Sequence, residues 1–343
     1  MQRRAFLAGT AVGAAALAAP AVVRAQAVTT LRLHQFLPPQ ATIPANGIEP
    51  WVKRVEDASS GRLKFELYPA MQLGGAPADL FDQAKDGVVD LIWTVLGYTP
   101  GRFPRCEAFE LPFMVKTAEA TSVAFQQFVD ANATDEFAGV KLLCVHTHGP
   151  GLIHSRDPVT KLEDLKGMKI RGGSRIISDM LGRLGAEPVG MPAPAIPEAL
   201  STGVITGATL PWEVTPSLRL SELVHNHTGF SGSHGLYTQT FAFTMNLDRY
   251  NGLPDDLKAV IDASAGLETA RAFGRAMDAG DAVGIKTAQE AGNSIVTLDD
   301  VETRRWKDAS QPTIDQWYAD SSAAGFDGRA MHETAKALVD AAA

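Results

Sequence analysis

The chain of 343 residues is poor in cysteine and in basic side chains. It has two cysteines, Cys106 and Cys144, and two cysteines far apart in sequence do not define a disulfide framework, although they could pair in an oxidising compartment. Acidic side chains outnumber basic ones by 39 to 31, which argues against binding to nucleic acid or to anionic membrane surfaces. An anionic ligand would therefore need a locally positive pocket.

Motifs of hydrolases and of nucleotide-binding proteins are missing. A serine hydrolase of the common type carries a nucleophile elbow, G-x-S-x-G, and the nearest stretches, residues 172–175 and 232–235, lack that pattern. No G-x-G-x-x-G or G-x-x-x-x-G-K loop follows a predicted strand. The acidic residues offer no general acid/base pair by spacing, so the sequence favours a binding protein over an enzyme.

Two H-x-H pairs are the only histidine patterns that suggest a metal. His146/His148 and His225/His227 could each present two imidazoles from one face of a strand. Neither pair has a third ligand at motif spacing. We interpret His146 and His148 as polar walls of a pocket, and His225 and His227 as surface residues in a polar turn.

The first 25 residues predict an export signal. Arg3 and Arg4 begin a twin-arginine signature, an apolar run follows over residues 7–23, and Val23-Arg24-Ala25 supplies small residues at a cleavage site. The run is too short and too rich in alanine for a good membrane anchor. Cleavage there would leave 28 basic and 39 acidic side chains, a formal charge of −11. We expect export to a bacterial periplasm.

Length and patterning predict an α/β protein with two lobes. An apolar content of 45% and a charged content of 20% are typical of soluble globular proteins, and 343 residues suffice for two cores. Strand and helix patterns alternate over residues 29–95, as at the start of a doubly wound sheet. Residues 255–293 contain no proline, which predicts one long or gently broken helix.

Residues 164–175 form the most informative stretch. We predict a turn, a short strand at residues 168–170, a glycine break and a helix from about residue 175. Arg171 ends that strand, at the edge where open α/β sheets hold their ligands. Its planar fork matches a carboxylate bidentately, as lysine cannot. From spacing alone, a surface salt bridge is the commoner role for such an arginine.

Aromatic residues gather at the predicted strand ends. Each of them alone is more often part of a core than of a site. Grouped around one arginine, they would form an apolar pocket with a single polar anchor, as small-ligand sites usually do. These residues are Phe36, Trp93, Tyr98, Phe113, Trp212 and Phe241.

A set of motifs, taken in order and spacing, resembles the solute-binding component of tripartite ATP-independent periplasmic (TRAP) transporters. The matching stretches are Ser60-Gly61-Arg62-Leu63-Lys64 through Tyr68-Pro69, Gln72-Leu73-Gly74-Gly75, Glu110-Leu111-Pro112-Phe113, Leu162-Glu163-Asp164-Leu165-Lys166-Gly167-Met168-Lys169-Ile170-Arg171, and Met245-Asn246 before Leu253-Pro254. The resemblance covers nearly all of the chain after the signal.

The resemblance implies a two-lobed periplasmic-binding-protein fold, type II-like, with a long helix spanning both lobes. One lobe would hold residues 28–148 and 237–276, and the other residues 149–236 and 277–343. The lobes would close on a small organic acid, and the closed form would dock on the permease subunits in the membrane. Neither a cofactor nor a metal is implied. In this family the arginine that ends the Lys-Ile-Arg strand grips the ligand carboxylate, and here that residue is Arg171.

Three departures from the family pattern bear on the ligand. Residues 148–152 lack the second arginine that many members carry, Leu210 stands where an asparagine often precedes the proline, and Ala193 replaces a frequent aromatic residue. A single cationic anchor with added apolar surface favours a monocarboxylate with an aromatic or bulky apolar tail. A C4-dicarboxylate would leave its second charge unpaired in the pocket.

The predicted ligand-binding set joins the anchor to the surrounding walls. Arg171 would hold the carboxylate, and Glu213 is a candidate acceptor for a ligand hydroxyl. The full set is Arg171, Phe36, Gln72, Trp93, Thr94, Trp212, Glu213, His148, Gly172 and Phe241. Three alternatives stay open: a C4-dicarboxylate-binding protein, a binding protein that serves a sensor, and a secreted enzyme that uses His146 and His148, with or without metal.

Overall fold

The computed structural model describes residues 27–342. The signal predicted for residues 1–25 lies outside these described residues. The strands are β1 Thr29–Gln35, β2 Leu63–Tyr68, β3 Leu91–Val95, β4 Val140–Thr147, β5 Leu152–Ser155, β6 Lys169–Gly172, β7 Glu187–Gly190, β8 Gly207–Leu210, β9 Asn226–Phe230, β10 Thr240–Asn246 and β11 Ser294–Leu298. The helices are α1 Glu49–Ala58, α2 Leu80–Lys85, α3 Ala118–Asn132, α4 Arg175–Arg183, α5 Ile196–Ser201, α6 Leu247–Asn251, α7 Asp255–Ala263, α8 Leu267–Glu290, α9 Asp300–Ala323 and α10 Gly328–Ala342.

The first sheet has the strand order β2-β1-β3-β10-β4. Strand β1 runs parallel to β2 and β3, and β10 runs antiparallel to β3 and β4. The alternating α/β beginning predicted for residues 29–95 is thereby confirmed. Strand β3 begins only at Leu91, because Val88 is exposed and the Asp90 carboxylate accepts a hydrogen bond from the Arg32 backbone N–H (2.7 Å).

The second sheet has the strand order β11-β9-β5-β8-β6-β7. Strand β6 lies parallel to both β7 and β8, with Arg171 opposite Val189 on one side and Ala208 on the other. The predicted turn, strand and helix at residues 164–184 are all present. Strands β5, β9 and β11 were not predicted, since they are short and, in β9, carry the polar sequence Asn-His-Thr-Gly-Phe.

The surface placement predicted for His227 is wrong. His225 is exposed, but His227 lies inside β9 and is only 1% exposed. Strand β9 is an interior strand between β11 and β5, and the His227 ring packs against His154 and Trp212. The His154 Nε2–H donates to the Leu210 carbonyl (3.1 Å), the His227 Nδ1–H donates to His154 Nδ1 (2.7 Å), and the Asn293 amide donates to His227 Nε2 (3.1 Å). Both imidazoles are neutral in this directed chain.

The long helix expected over residues 254–293 is broken once. Helices α7 and α8 are separated by a turn in which Gly266 has φ +73° and donates its N–H to the Leu143 carbonyl. The Trp51 indole N–H binds the freed Ser264 carbonyl (2.6 Å). Helix α8 then packs on α3 and β4 of the first sheet and on the turn after β8 in the second, so it spans both lobes. At Gly284 a Cβ would lie 2.1 Å from the Trp212 carbonyl oxygen.

The lobe boundaries stay a prediction. The position of helix α10 differs from the one that the prediction gave it. Helix α10, assigned by sequence to the second lobe, packs against α3 beside the first sheet, where Lys116 and Asp340 form an ion pair of 2.8 Å. In the described part of the chain both Cys106 and Cys144 are buried free thiols. Among residues 27–342, no helix combines the length and apolarity needed to cross a bilayer.

Replacing Gly284 with alanine is expected to destabilise the protein, although alanine is normally the better helix former. The new Cβ would overlap the Trp212 backbone, and such overpacking costs about 1–3 kcal/mol. Gly182 in α4 is the matched control, because its nearest neighbour would be 3.9 Å away; Gly182→Ala should be neutral or stabilising by up to about 1 kcal/mol. Urea unfolding measures both, and equal effects would contradict the close contact.

His227 should make stability depend on pH. Burial, with a contribution from His225, lowers the pKa of His227 from 6.5 to about 4. The unfolded state therefore binds the proton more readily, and stability present above pH 6.5 is lost as the pH falls toward 4. Linkage gives a loss of about 2 kcal/mol between pH 7.5 and pH 5.

The test compares the free energy of unfolding at those two pH values in three proteins. His227→Gln should reduce the difference seen in the parent by about 2 kcal/mol. His225→Gln, at an exposed position two residues away, should reduce the difference only slightly, because it removes the smaller of the two causes that lower the pKa of His227. An unaltered difference in the His227 variant would mean that this imidazole is not held neutral.

Candidate ligand-binding site

Arg171 is a fully buried cation at the end of β6. Its side chain is 0% exposed. The Nε–H donates to the Met191 carbonyl (2.9 Å), and Nη1 donates to the Thr209 carbonyl (3.0 Å) and reaches Gln239 Oε1 at 3.5 Å. Nη2 has no hydrogen-bond partner among residues 27–342, and no carboxylate of those residues pairs with the guanidinium. One buried N–H group of a positively charged side chain therefore has no hydrogen-bond acceptor among the described residues.

Three aromatic rings from the first sheet form one wall of an adjacent cavity. Trp93 stands between Phe36 and Phe241, with centroid distances of 4.9 and 5.3 Å and interplanar angles of 6° and 4°. Phe36 follows β1, Trp93 lies in β3 and Phe241 lies in β10. Because these three strands are neighbours, their side chains on one face meet at the cleft. All three belong to the predicted site.

His146, near the end of β4, and His148, just after it, each accept a hydrogen bond that fixes the ring. Trp93 Nε1–H donates to His146 Nε2 (2.8 Å), and the Gln239 backbone N–H donates to His148 Nε2 (3.0 Å). Burial lowers the pKa of each imidazole to about 3, so both are neutral. His148 lines the cavity as predicted. His146 does not line the cavity and instead stacks on Phe241 at a centroid distance of 4.8 Å, so only one of the two histidines forms part of the wall.

The opposite wall comes from the second sheet. It is formed by Ala193 after β7 and by the segment that ends β8 and turns away from it: Leu210, Pro211, Glu213 and Val214. The cavity between the walls measures about 20 Å³, room for about one water molecule. An aromatic acid would enter only with movement of side chains or lobes.

Four residues of the predicted set lie elsewhere. Gln72 is exposed in the loop after β2. Thr94 alternates with Trp93 and points to the other face of the sheet, where its hydroxyl approaches the Pro77 carbonyl (3.4 Å). Gly172 packs on the first turn of α4, since a Cβ there would lie 2.4 Å from Ser178 Oγ.

Trp212 is the fourth of these residues. Its ring packs against His154 and His227, at centroid distances of 5.1 and 4.8 Å. Adjacent residues of this turn point in different directions, so Glu213 faces the cavity and Trp212 faces the histidine pair behind it. Trp212 therefore supports the cavity wall from outside.

Tyr98 and Gln239 line the cavity but were not in the predicted set. Tyr98 had been noticed as a strand-end aromatic; its hydroxyl accepts the Ala193 N–H (2.9 Å) and so joins the two walls. Gln239 precedes β10, and its amide donates to the Gly173 carbonyl (2.8 Å). No sequence motif marks Gln239, because its neighbours come from distant segments.

Further contacts cross between the lobes around this cavity. Arg175, the first residue of α4, forms a bidentate ion pair with Glu107, with distances of 2.6 and 3.3 Å, and Nη1 of the same arginine reaches Asp320 in α9 (2.7 Å). The Thr42 hydroxyl donates to the Glu213 carbonyl (2.9 Å). These contacts describe a closed arrangement of the lobes.

A metal centre has no support from the side-chain arrangement. Across the described range 27–342, no three His, Cys, Asp or Glu side chains come together in a way that could hold a metal ion. The cavity lining provides flat aromatic surface and one carboxyl group, and the buried Arg171 guanidinium lies next to it, 3.5 Å from Gln239 Oε1. This combination suits an organic anion with an apolar body.

Comparison with known proteins gives the family. Residues 35–321 match the model of bacterial extracellular solute-binding proteins, family 7. A TRAP solute-binding protein from Rhodoferax ferrireducens, crystallised with copurified benzoate, is 47% identical, with a TM-score of 0.90 over 92% of this chain and 98% of its own. A marine-metagenome TRAP protein specific for aromatic acids, bound to 3-hydroxybenzoate, is 46% identical with a TM-score of 0.90, covering 92% and 99%.

Sequence relatives agree. A solute-binding protein from Albidiferax ferrireducens is 29% identical over 91% of this chain and 93% of its own length. The family model spans most of the chain, the fold has two lobes joined by a long helix, and an arginine without a carboxylate partner lies beside the cavity between them. The chain belongs to family 7 of the bacterial extracellular solute-binding proteins, the solute-binding components of TRAP transporters.

Proposed function

We propose that the chain captures an aromatic monocarboxylate in the periplasm and delivers it to the membrane permease of a TRAP transporter. The ligand carboxylate binds Arg171, and its ring lies against the wall formed by Phe36, Trp93 and Phe241. Binding draws the two lobes together, and the closed form is the one presented to the permease. The chain returns the ligand chemically unchanged.

The observation that carries this proposal is the missing partner of the Arg171 guanidinium. A cation removed from water without a counter-ion is costly, by several kcal/mol or more. Two backbone carbonyls orient the group but carry no net negative charge. A ligand carboxylate would supply that charge to Nη2 and form the strong, charge-assisted kind of hydrogen bond.

The ring preference rests on the wall and on the relatives. Flat, parallel side chains favour stacking or edge contact with another ring. The benzoate and 3-hydroxybenzoate complexes belong to proteins nearly half identical to this chain and superposable over almost its whole described length. Family membership supports a periplasmic location and a permease partner. A permease gene next to the gene for this chain would favour the role in a transporter over a role in a sensor.

A C4-dicarboxylate is the weaker candidate, because no cation is among the residues that line the cavity and Arg171 beside it could pair with only one of the two carboxylates. Calorimetric titration with benzoate and with succinate tests this directly. Benzoate should bind at least about 100-fold more tightly, since a buried carboxylate without a partner costs several kcal/mol. Equal affinities would remove the basis of the proposal.

Arg171→Lys should weaken benzoate binding by about tenfold or more, because an ammonium group cannot reproduce the planar contact to a carboxylate. Arg305→Lys is the matched control: Arg305 is partly exposed on α9 and pairs with Glu163 and Glu302 away from the cavity. Its affinity should equal that of the parent. Near-parental affinity in the Arg171 variant would show that another group holds the carboxylate.

A further inference from the structure

The cavity contains a second polar atom without a partner. Glu213 lines the cavity and is 6% exposed. Its Oε2 has no hydrogen-bond partner among residues 27–342, which is also true of Arg171 Nη2. An unsatisfied buried carboxyl oxygen is unfavourable, so a wall residue of this kind calls for a group that would satisfy it.

The direction of the Glu213 side chain is fixed by its backbone. The Glu213 N–H donates to Asp281 Oδ1 in α8 (2.8 Å), and its carbonyl accepts from the Thr42 hydroxyl (2.9 Å). Gly280 lets α8 approach closely, since a Cβ there would lie 2.8 Å from the Glu213 Cβ. Glu213 Oε2 and Arg171 Nη2 are not bonded to each other, so each is left for a separate group of a ligand.

The charge state of Glu213 decides what it can recognise. Burial, together with the charge of Asp281, raises the pKa of Glu213 to about 8. Near neutral pH the group is a carboxylic acid, which can both donate and accept a hydrogen bond. A ring hydroxyl has the same two capacities. A second ligand carboxylate would instead add a negative charge close to Asp281.

We propose that Glu213 determines specificity for a ring hydroxyl remote from the ligand carboxylate, so that the preferred ligands are hydroxylated aromatic monocarboxylates. This inference rests on the proposed function and narrows its ligand class. Arg171 binds one end of the ligand, Glu213 binds the hydroxyl, and the aromatic wall holds the ring between them. A site built for a hydroxyl discriminates against the analogue that lacks it, because the buried partner then stays unpaired.

Calorimetric titrations at pH 7 with benzoate, 3-hydroxybenzoate and 4-hydroxybenzoate test the inference. In the parent, the better hydroxybenzoate should bind about tenfold or more tightly than benzoate. Glu213→Gln keeps a donor and an acceptor and should keep most of that ratio. Glu213→Met removes both at similar size and should bring the ratio of hydroxybenzoate to benzoate affinity close to one. Val214→Ala, in the neighbouring wall position, should change all affinities by a similar factor.

The outcomes separate the inference from the proposed function. Tight binding of benzoate with no advantage for either hydroxybenzoate overturns the role of Glu213 and leaves the proposed function standing. A hydroxyl preference that survives in Glu213→Met also overturns the inference. If the parent binds none of the three acids, both fail. The comparison within the parent needs no variant, so a misfolded variant cannot rescue the inference.

Discussion

The guanidinium of Arg171 is held in the interior without a carboxylate, and the other parts of the site follow from that constraint. Its position is fixed by the Met191 and Thr209 carbonyls, which come from the ends of two strands on either side of β6. The three parallel strands must therefore be paired in register before the cation can be tolerated. Two donors are used for orientation, and Nη2 is left for an anion.

Two carboxylates within one turn of helix α8 bind backbone N–H groups of both lobes. The Asp278 carboxylate accepts the Ala118 and Glu119 N–H groups at the start of α3 (2.7 and 2.9 Å), which belongs to the first lobe. Asp281, one turn later, accepts the Glu213 N–H in the second lobe. Carboxylates at the starts of helical turns suit the exposed N–H groups there. Two carboxylates of one continuous helix therefore hold segments of both sheets in fixed positions next to the cavity.

Much of the fold could be predicted because apolar periodicity marks long elements well. The α/β alternation of residues 29–95 is present, and the helix predicted from about residue 175 is α4. Strand β9 was missed since it buries polar residues such as His227, whose hydrogen bonds come from segments far apart in sequence. The break before α8 depends on the Trp51 indole bound to the Ser264 carbonyl, a tertiary contact that no local pattern contains.

Residue type alone did not mark the proposed anchor of the site. Spacing alone favoured a surface salt bridge for Arg171, and the resemblance to TRAP solute-binding proteins was needed to predict it as the carboxylate anchor at a ligand-holding sheet edge. Side-chain direction was the harder problem. Trp93 and Thr94 are adjacent in one strand, so they must face opposite sides. Trp212 and Glu213 are adjacent in a turn, where no simple period separates the inward residue from the outward one.

In the proposed function, ligand binding and lobe closure are coupled because each lobe supplies only part of the surface that contacts the ligand. The first lobe supplies the stacked rings of Phe36, Trp93 and Phe241, and the second supplies the cation of Arg171. A ligand in an open cleft would satisfy one of these sets at a time. Only the closed arrangement, with Tyr98 bonded to Ala193 across the cleft, brings both to the same molecule. Differential contact with the two states is the condition under which a ligand can shift the equilibrium between them. Because the proposed site is divided between two sheets, binding of the acid would favour the closed form, and the permease could distinguish that form from the open one.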